Sequence, residues 1–213
     1  MTMRASLAAT AVALAFAAPA LAVDVGHVDE FASAGNLESW GGGAFYSNPG
    51  TGGVGGANDG YLRVETPFEA QLAARSQSSV YVGDWIAAGA TGLSFYLRDE
   101  GGTGDLEIHV GIGVGFSNFW QSNVGFPPTD EWTQFTVDFS DPSQWTQIIG
   151  AGSFEEALMS TDRVLFRHDL APFTHLPDFI FGSFGLDRVA ILPAPGAGAL
   201  LGLSALAAAR RRR

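Results

Sequence analysis

Apolar and polar residues alternate along several short stretches of this chain, and glycine-rich segments separate them. In residues 106–114 every second residue is apolar, and the intervening positions are Glu107, His109 and glycines. A period of two is typical of a β-strand with one buried face. Similar patterns predict strands at residues 60–66, 93–98, 132–139, 163–168 and 184–192, and shorter ones at residues 27–31, 44–46, 71–75 and 118–122.

One short helix is predicted at residues 153–159. Ser153 can accept a hydrogen bond from an amide of the first turn, and Glu155 and Glu156 suit the positive end of a helix. Eight to ten short strands with a single helix predict an all-β fold, and the glycine-rich turns favour an antiparallel β-sandwich. Residues 23–192 have the length of one domain.

The first 22 residues have the pattern of a secretory signal peptide. Arg4 precedes an apolar, alanine-rich run at residues 7–18, and Ala20 and Ala22 form a small-x-small cleavage site. The alternative is a buried N-terminal helix, but an acidic, polar chain begins abruptly at Val23. We therefore predict export, with the mature chain beginning at Val23.

Residues 193–213 combine a proline pair, an apolar run and a basic cluster. The pair is Pro193-Ala194-Pro195, and the run over residues 196–209 would be a helix of about 21 Å. A bilayer core is roughly 30 Å thick, so the run is short for a permanent span. The basic cluster would hold this end on the cytoplasmic side, and it consists of Arg210, Arg211, Arg212 and Arg213.

This order of features resembles the PEP-CTERM sorting signal of Gram-negative bacterial surface proteins. The signature Pro-Glu-Pro is changed here, because Ala194 stands in place of the glutamate. The resemblance implies an exosortase-type sorting machinery as partner, transient anchoring in the membrane, cleavage near Pro195, and a final location at the cell surface or in the extracellular matrix.

Composition excludes several kinds of chemistry. The chain has no lysine and no cysteine, which excludes a Walker A phosphate loop, Schiff-base catalysis and thiolate metal sites. Of 11 basic residues only six arginines lie in residues 23–192, against 22 acidic residues. Nucleic acid is therefore not an expected partner, since phosphates need Lys or Arg. A divalent cation or a neutral polymer suits the charge better, although net charge can also serve solubility alone.

The central region also resembles a known group of domains. The features are Asp-Glu-Phe at residues 29–31, Trp-Gly-Gly at 40–42, Val-Gly-Asp-Trp at 82–85, Trp-Thr-Gln-Phe-Thr-Val at 132–137 and Leu-Asp-Arg-Val at 186–189. They are similar to the jelly-roll sandwiches of galactose-binding-like carbohydrate-binding modules and laminin B-like domains, in which the last motif usually has Asn where this chain has Arg. The resemblance implies a jelly roll whose first and last strands are neighbours.

A structural Ca²⁺ is a further implication of that resemblance. The ion would lie near the ends of the first and last strands, with Glu30 and Asp187 as side-chain ligands and carbonyl oxygens near Asn58 and Asp59 completing the set. Oxygen ligands in loops suit Ca²⁺. The alternative is that these acids are simply solvated.

Aromatic residues next to amide side chains are candidates for binding a sugar ring. Trp120 and Phe119 precede Gln121, Ser122 and Asn123, and Trp40 is a second candidate platform. Core packing is the alternative for each of these rings.

An enzyme is the alternative class of function. Neither a Gly-x-Ser-x-Gly elbow nor an alternating Glu-x-Asp-x-Glu run occurs in the chain. The sequence therefore predicts a non-catalytic binding protein of the envelope or matrix, with extracellular polysaccharide as the expected ligand. A polysaccharide-active hydrolase or lyase of the jelly-roll type is the alternative, and a cleft with paired carboxylates would favour it.

Overall fold

A computed structural model describes residues 23–76, 78–103 and 105–195. The predicted signal peptide, with Ala20 and Ala22, and the apolar run with its terminal arginines lie outside the described residues. Within the described residues, twelve strands form two six-stranded sheets, joined by one α-helix and two 3₁₀ turns.

The strands in chain order are Val28–Asp29 (β1), Trp40–Gly41 (β2), Phe45–Ser47 (β3), Leu62–Gln71 (β4), Ala73–Ser76 (β5), Ala90–Thr103 (β6), Ile108–Val114 (β7), Asn118–Ser122 (β8), Thr133–Asp138 (β9), Trp145–Gly150 (β10), Arg163–His168 (β11) and Phe179–Pro193 (β12). The helix α1 spans Phe154–Met159, and the 3₁₀ turns span Ser79–Tyr81 and Pro142–Gln144.

The two sheets are antiparallel and form a jelly-roll β-sandwich, as the sequence predicts. The β12 sheet has the order β3-β4-β12-β6-β9, and β1 also pairs with β12. The β7 sheet has the order β10-β8-β7-β11-β5-β2. The first and last strands are therefore neighbours, in the register Val28 to Ala190 and Asp29 to Val189.

The core lies between the two sheets and is rich in aromatic rings. Phe95 of β6 meets Phe166 of β11 across the interface, with ring centroids 4.8 Å apart at a steep angle. The inward face of β7 supplies Ile108, Val110 and Ile112, all fully buried. Aromatic pairs in this geometry add stability beyond the area that they bury, so the fold is held by packing in a chain that has no cysteine.

The helix α1 closes one end of the sandwich and is capped as the sequence predicts. The Ser153 side chain accepts from Glu156 N (3.1 Å), and the Glu156 carboxylate accepts from Ser153 N (2.8 Å). This reciprocal pair satisfies two amides that a helix start otherwise leaves without partners. Phe154 and Leu158 bury the inward face of the helix against the core.

Candidate functional site

The outer face of the β7 sheet is hollow in its middle because β7 carries glycines there. Gly111 and Gly113 lie on the outer face, opposite the buried Ile108, Val110 and Ile112. A Cβ atom at Gly111 would lie only 2.6 Å from the ring of Phe119. Because Gly111 has no side chain, the Phe119 ring can lie against the strand. The result is a shallow depression in this face, which forms the floor of a cavity.

Above this floor lies an open cavity of about 370 Å³. The register explains its lining, because residues that pair across neighbouring strands share a face of the sheet. One row contains Gly41, Arg75 and Leu165, and a second contains Arg163, Gly113, Phe119 and Ile149. The lining residues are Gly41, Gly42, Gly43, Ala73, Arg75, Gly115, Phe116, Phe119, Ile148, Ile149, Arg163, Leu165, Arg167 and His175.

Two phenylalanines give the cavity its aromatic surface. Phe119 forms part of the floor and is only 2% exposed. Phe116, in the turn between β7 and β8, is 87% exposed. The Arg163 guanidinium lies 5.9 Å from the centroid of the Phe116 ring. Such an exposed ring at the mouth of a cavity can stack on a flat or cyclic ligand.

The cavity also collects three arginines. Arg163 is paired with Asp162, with Nε 2.7 Å from the carboxylate. Arg167 is buried and is paired with Asp169. The third, Arg75, makes no side-chain hydrogen bond or ion pair within the described part of the chain. Among the described residues, those that line the cavity include neither aspartate nor glutamate.

The segment after β11 covers the other end of this face. Arg167 holds it by donating from Nη2 to the carbonyl of Thr174 (2.7 Å) and from Nη1 to that of His175 (3.2 Å). Phe173 packs edge-on against the ring of His109, with centroids 4.8 Å apart, and buries it. The cavity is therefore closed at one end by residues 169–178 and open at the other.

The buried polar groups beneath this cover are nearly all paired. Gln121 donates from Nε2 to Asp169 (3.0 Å), the same carboxylate that binds Arg167. Burial lowers the pKa of Arg167, and Asp169 opposes that shift. Burial also lowers the pKa of His168, whose Nδ1 accepts from Glu107 N (3.2 Å). Within the described residues, Arg167 Nε and Gln121 Oε1 are buried without a hydrogen-bond partner.

The three predicted sugar-binding rings lie in different places. Phe119 lines the cavity. Trp120 points to the opposite face of β8, where its ring packs edge-on against Phe154 of α1. Trp40 is 3% exposed in the core and donates from Nε1 to Asp29 (2.7 Å). Alternation explains the separation of Phe119 from Trp120, since consecutive strand residues face opposite sides.

Sequence reasoning missed Phe116 and the three arginines. A signal was present in β11, where Arg163 and Arg167 are four residues apart. They therefore share a face of the strand, opposite the core residues Val164 and Phe166. That spacing places both guanidinium groups on one outer face. Nothing local in the sequence indicates that Arg75 joins them, because its position depends on the pairing of β5 with β11.

The two predicted calcium ligands are in contrasting environments. Glu30 is exposed, whereas Asp187 is fully buried. The Asp187 carboxylate accepts from Val54 N and Arg188 N, both at 2.8 Å. Burial raises its pKa from 3.8 to about 6, and the nearby Asp59 adds to that shift. Its oxygens thus have partners from the protein itself.

Nearby carbonyl oxygens also accept hydrogen bonds from the protein. The Asn48 Nδ2 amino group donates to the carbonyls of Phe31, Ser33 and Asn36, at 2.7, 3.0 and 2.7 Å. The carbonyl of Asp59 accepts from Gly53 N (2.8 Å). In the described part of the chain, no three His, Asp or Glu side chains cluster as metal ligands would. The calcium site with Glu30 and Asp187 as side-chain ligands stays a prediction from the sequence, and we derive no role for an ion there.

The Pro-Ala-Pro motif begins at the last residue of the final strand. Pro193 is the last residue of β12, and Ala194 N donates to the carbonyl of Gly89 (2.8 Å). Pro195 follows as an exposed turn residue. Within the described residues, no helix is long and apolar enough to cross a membrane.

Comparisons with known proteins bear on the fold. Scans against protein-family profiles and against curated proteins give no match. Solved structures do match. A family 11 carbohydrate-binding module from Clostridium thermocellum, solved with a β-1,3-1,4-mixed-linked tetrasaccharide, has a TM-score of 0.50 and 16% identity over 80% of this chain and 97% of its own.

Two further structures are similar to the same extent. The CBM22-1 xylan-binding domain of Paenibacillus barcinonensis Xyn10C has a TM-score of 0.50 and 13% identity, over 82% of this chain and 100% of its own. An exo-β-agarase has a TM-score of 0.52 and 11% identity, and the match covers 75% of this chain but 24% of the agarase. At these identities the likeness establishes the jelly-roll fold.

Proposed function

We propose that this chain is an exported, non-catalytic glycan-binding protein whose ligand lies in the cavity on the outer face of the β7 sheet. The observation that carries the proposal is the cavity itself. It is open at one end, has an exposed ring in Phe116, and is lined by guanidinium groups that can donate to sugar oxygens. Aromatic stacking with a few placed polar groups is the chemistry that recognises carbohydrate.

The lining favours binding over hydrolysis. A glycosidase of the common type needs two carboxylates that face each other across the scissile bond. The described residues that line this cavity supply no carboxylate, and the carboxylates bound to two of its arginines, Asp162 and Asp169, are engaged in those ion pairs. The fold that this chain shares with the two carbohydrate-binding modules is consistent with the proposal.

The proposal is tested by measuring the binding of the full chain to a panel of soluble polysaccharides by affinity electrophoresis. Phe116→Ala should weaken binding by roughly fivefold to tenfold, the value of one aromatic contact. The matched control is Phe179→Ala, because Phe179 is 68% exposed but lies on the β12 sheet. If both variants weaken binding equally, the cavity is not the site.

A second variant blocks the cavity without disturbing the fold. Gly43 lines the cavity, has no left-handed backbone angle, and would have no heavy atom within 4 Å of an added Cβ. Gly43→Trp should therefore abolish binding while the melting temperature stays unchanged. Full binding by this variant would contradict the proposed site.

The location of the protein is part of the same proposal. We infer that the signal peptide directs export and that residues 193–213 direct sorting by an exosortase-type machinery, with transient membrane anchoring. A glycan-binding site suits a protein held at the cell surface or in the extracellular matrix, where polysaccharide is abundant.

A further inference from the structure

We propose that the glycan bound in this cavity carries anionic groups, uronate carboxylates or sulfate esters, and that Arg75 binds them. This inference rests on the proposed function, and it concerns the chemical class of the ligand. The acidic composition of the chain favours a neutral polymer or a cation as ligand. The charge of the cavity instead favours an anionic ligand.

The distribution of the arginines carries the argument. Residues 23–192 contain six arginines and 22 acidic residues, so an arginine has an abundant supply of carboxylates to pair with. Five of the six have such a partner, in the pairs Arg63–Glu65, Arg98–Glu100, Arg163–Asp162, Arg167–Asp169 and Arg188–Asp59. Arg75 alone has none within the described part of the chain.

The surroundings of Arg75 keep its guanidinium available. It is half-buried at the edge of the cavity, between Gly41 of β2 and Leu165 of β11 in the register of the sheet. Residues 41–43 are all glycine, so no side chain from that segment covers it. A guanidinium held in this way presents paired N–H donors that match the two oxygens of a carboxylate or a sulfate.

A second, independent observation comes from the floor of the cavity. Arg167 is 1% exposed and lines the cavity, and its Nε is buried with no hydrogen-bond partner among the described residues. An unpaired buried donor costs stability until an acceptor reaches it. An oxygen-rich ligand on the floor would supply that acceptor once the side chain turns toward the cavity; the positive charge itself is already paired with Asp169.

The cavity therefore carries one uncompensated positive charge, that of Arg75, on a domain that is otherwise strongly acidic. Three of the six arginines line it and no carboxylate does, among the residues described. A cleft of one charge with low-dielectric walls concentrates ligands of the opposite charge. The acidic remainder of the domain repels polyanions elsewhere, so binding of an acidic glycan would be confined to this face.

The experiment compares matched polymers that differ only in charge. Binding of the full chain is measured to polygalacturonate against its carboxyl-reduced form, and to dextran sulfate against dextran. We expect one charged polymer to bind at least about tenfold more tightly than its neutral counterpart, with affinity falling as salt is raised. The arm that binds distinguishes uronate from sulfate.

Two arginine variants complete the test. Arg75→Gln should lose most of the preference for the charged polymer, and Arg75→Lys should retain only part of it because a lysine lacks the paired donors. The control is Arg63→Gln, which removes an arginine paired with Glu65 on the β12 sheet and should leave binding unchanged.

The outcomes separate the two proposals. If neutral polymers bind equally well and Phe116→Ala alone weakens them, the acidic-ligand inference is overturned and the glycan-binding function stands. If Arg75→Gln and Arg63→Gln act alike, the attraction is unspecific and the inference also fails. If none of these four polymers binds, and no polysaccharide of the panel under the proposed function binds either, both the acidic-ligand inference and the proposed function fail.

Discussion

At the scale of single residues, Asp187 shows how burial changes the chemistry of a side chain. The native state raises its pKa to about 6 through burial, so the folded protein holds this proton more tightly than the unfolded chain does. The stability that this provides is complete below about pH 4 and is lost as the pH rises through about 6. A shift of this size corresponds to a free energy of unfolding on the order of 2–3 kcal/mol.

We predict that Asp187→Asn removes this part of the pH dependence. Urea unfolding between about pH 4 and pH 7 should show a decline in stability for the wild type and a flatter profile for the variant, even if the variant is weaker throughout. Equal slopes for the two proteins would show that Asp187 does not titrate in this range.

The same measurement tests the calcium prediction. A bound cation favours the ionised carboxylate, so calcium at Asp187 would lower its pKa and flatten the wild-type profile, and EDTA would restore the slope. Equal profiles in calcium and in EDTA would contradict the calcium prediction. A difference that Glu30→Gln also abolishes would instead establish the site predicted from the sequence.

Single residues also show where sequence reasoning stops. The sequence shows that Trp40, Trp120 and Phe119 carry large rings. Whether each ring faces a ligand or the core depends on the register of its strand. Trp40 donates to a buried carboxylate eleven residues before it, Asp29, which also accepts from Tyr81 (2.6 Å). Contacts of this kind join distant segments, and no local pattern encodes them.

At the scale of elements, the strands that alternate regularly were predictable. Residues 163–168 and 118–122 are strands with the predicted bounds, and the apolar alternation at 106–114 marks β7. The sequence pattern did not predict β10, which has a register shift between Gln147 and Ile149 in its pairing with β8. A bulge breaks the period of two on which the prediction depends. Strand β2 is too short to show any period.

The helix α1 is an element whose start can be tested by itself. We predict that Ser153→Ala lowers the free energy of unfolding by about 1 kcal/mol, because it leaves a first-turn amide without its acceptor. Thermal unfolding should show a melting temperature lower by roughly 2–4 °C. Ser153→Asp keeps an acceptor at this position and should preserve stability. If both variants melt like the wild type, the capping box contributes nothing.

At the scale of the whole molecule, the class of fold followed from the sequence but the character of the site did not. The jelly roll is confirmed, and so is the neighbouring position of its first and last strands. The overall charge suggested a neutral partner, whereas the cavity gathers arginines from β5 and β11. Net charge is a sum over the whole chain and does not show how charges are distributed on the surface. Only the pairing of the strands shows which of the few arginines lie together.

Export and sorting concern the chain as a whole, and they remain predictions. We expect mass spectrometry of the surface protein to find a first residue at Val23 and a last residue near Pro195. Removal at that point leaves the sandwich complete, since β12 ends at Pro193. Deleting the four terminal arginines should impair retention without lowering the melting temperature. A mature chain that keeps Arg213 would instead indicate simple membrane tethering.

The position of β12 has a mechanical consequence for any such tether. This strand lies in the interior of its sheet, paired with β4 on one side and β6 on the other, and the tail continues directly from its end. Tension applied through the tail would act along the strand and would load in shear its hydrogen bonds with β6 and, further along the strand, those with β1 and β4. An edge strand pulled from its end could be peeled away one bond at a time. We therefore expect the domain to resist drag on a bound polymer for as long as the tail holds it.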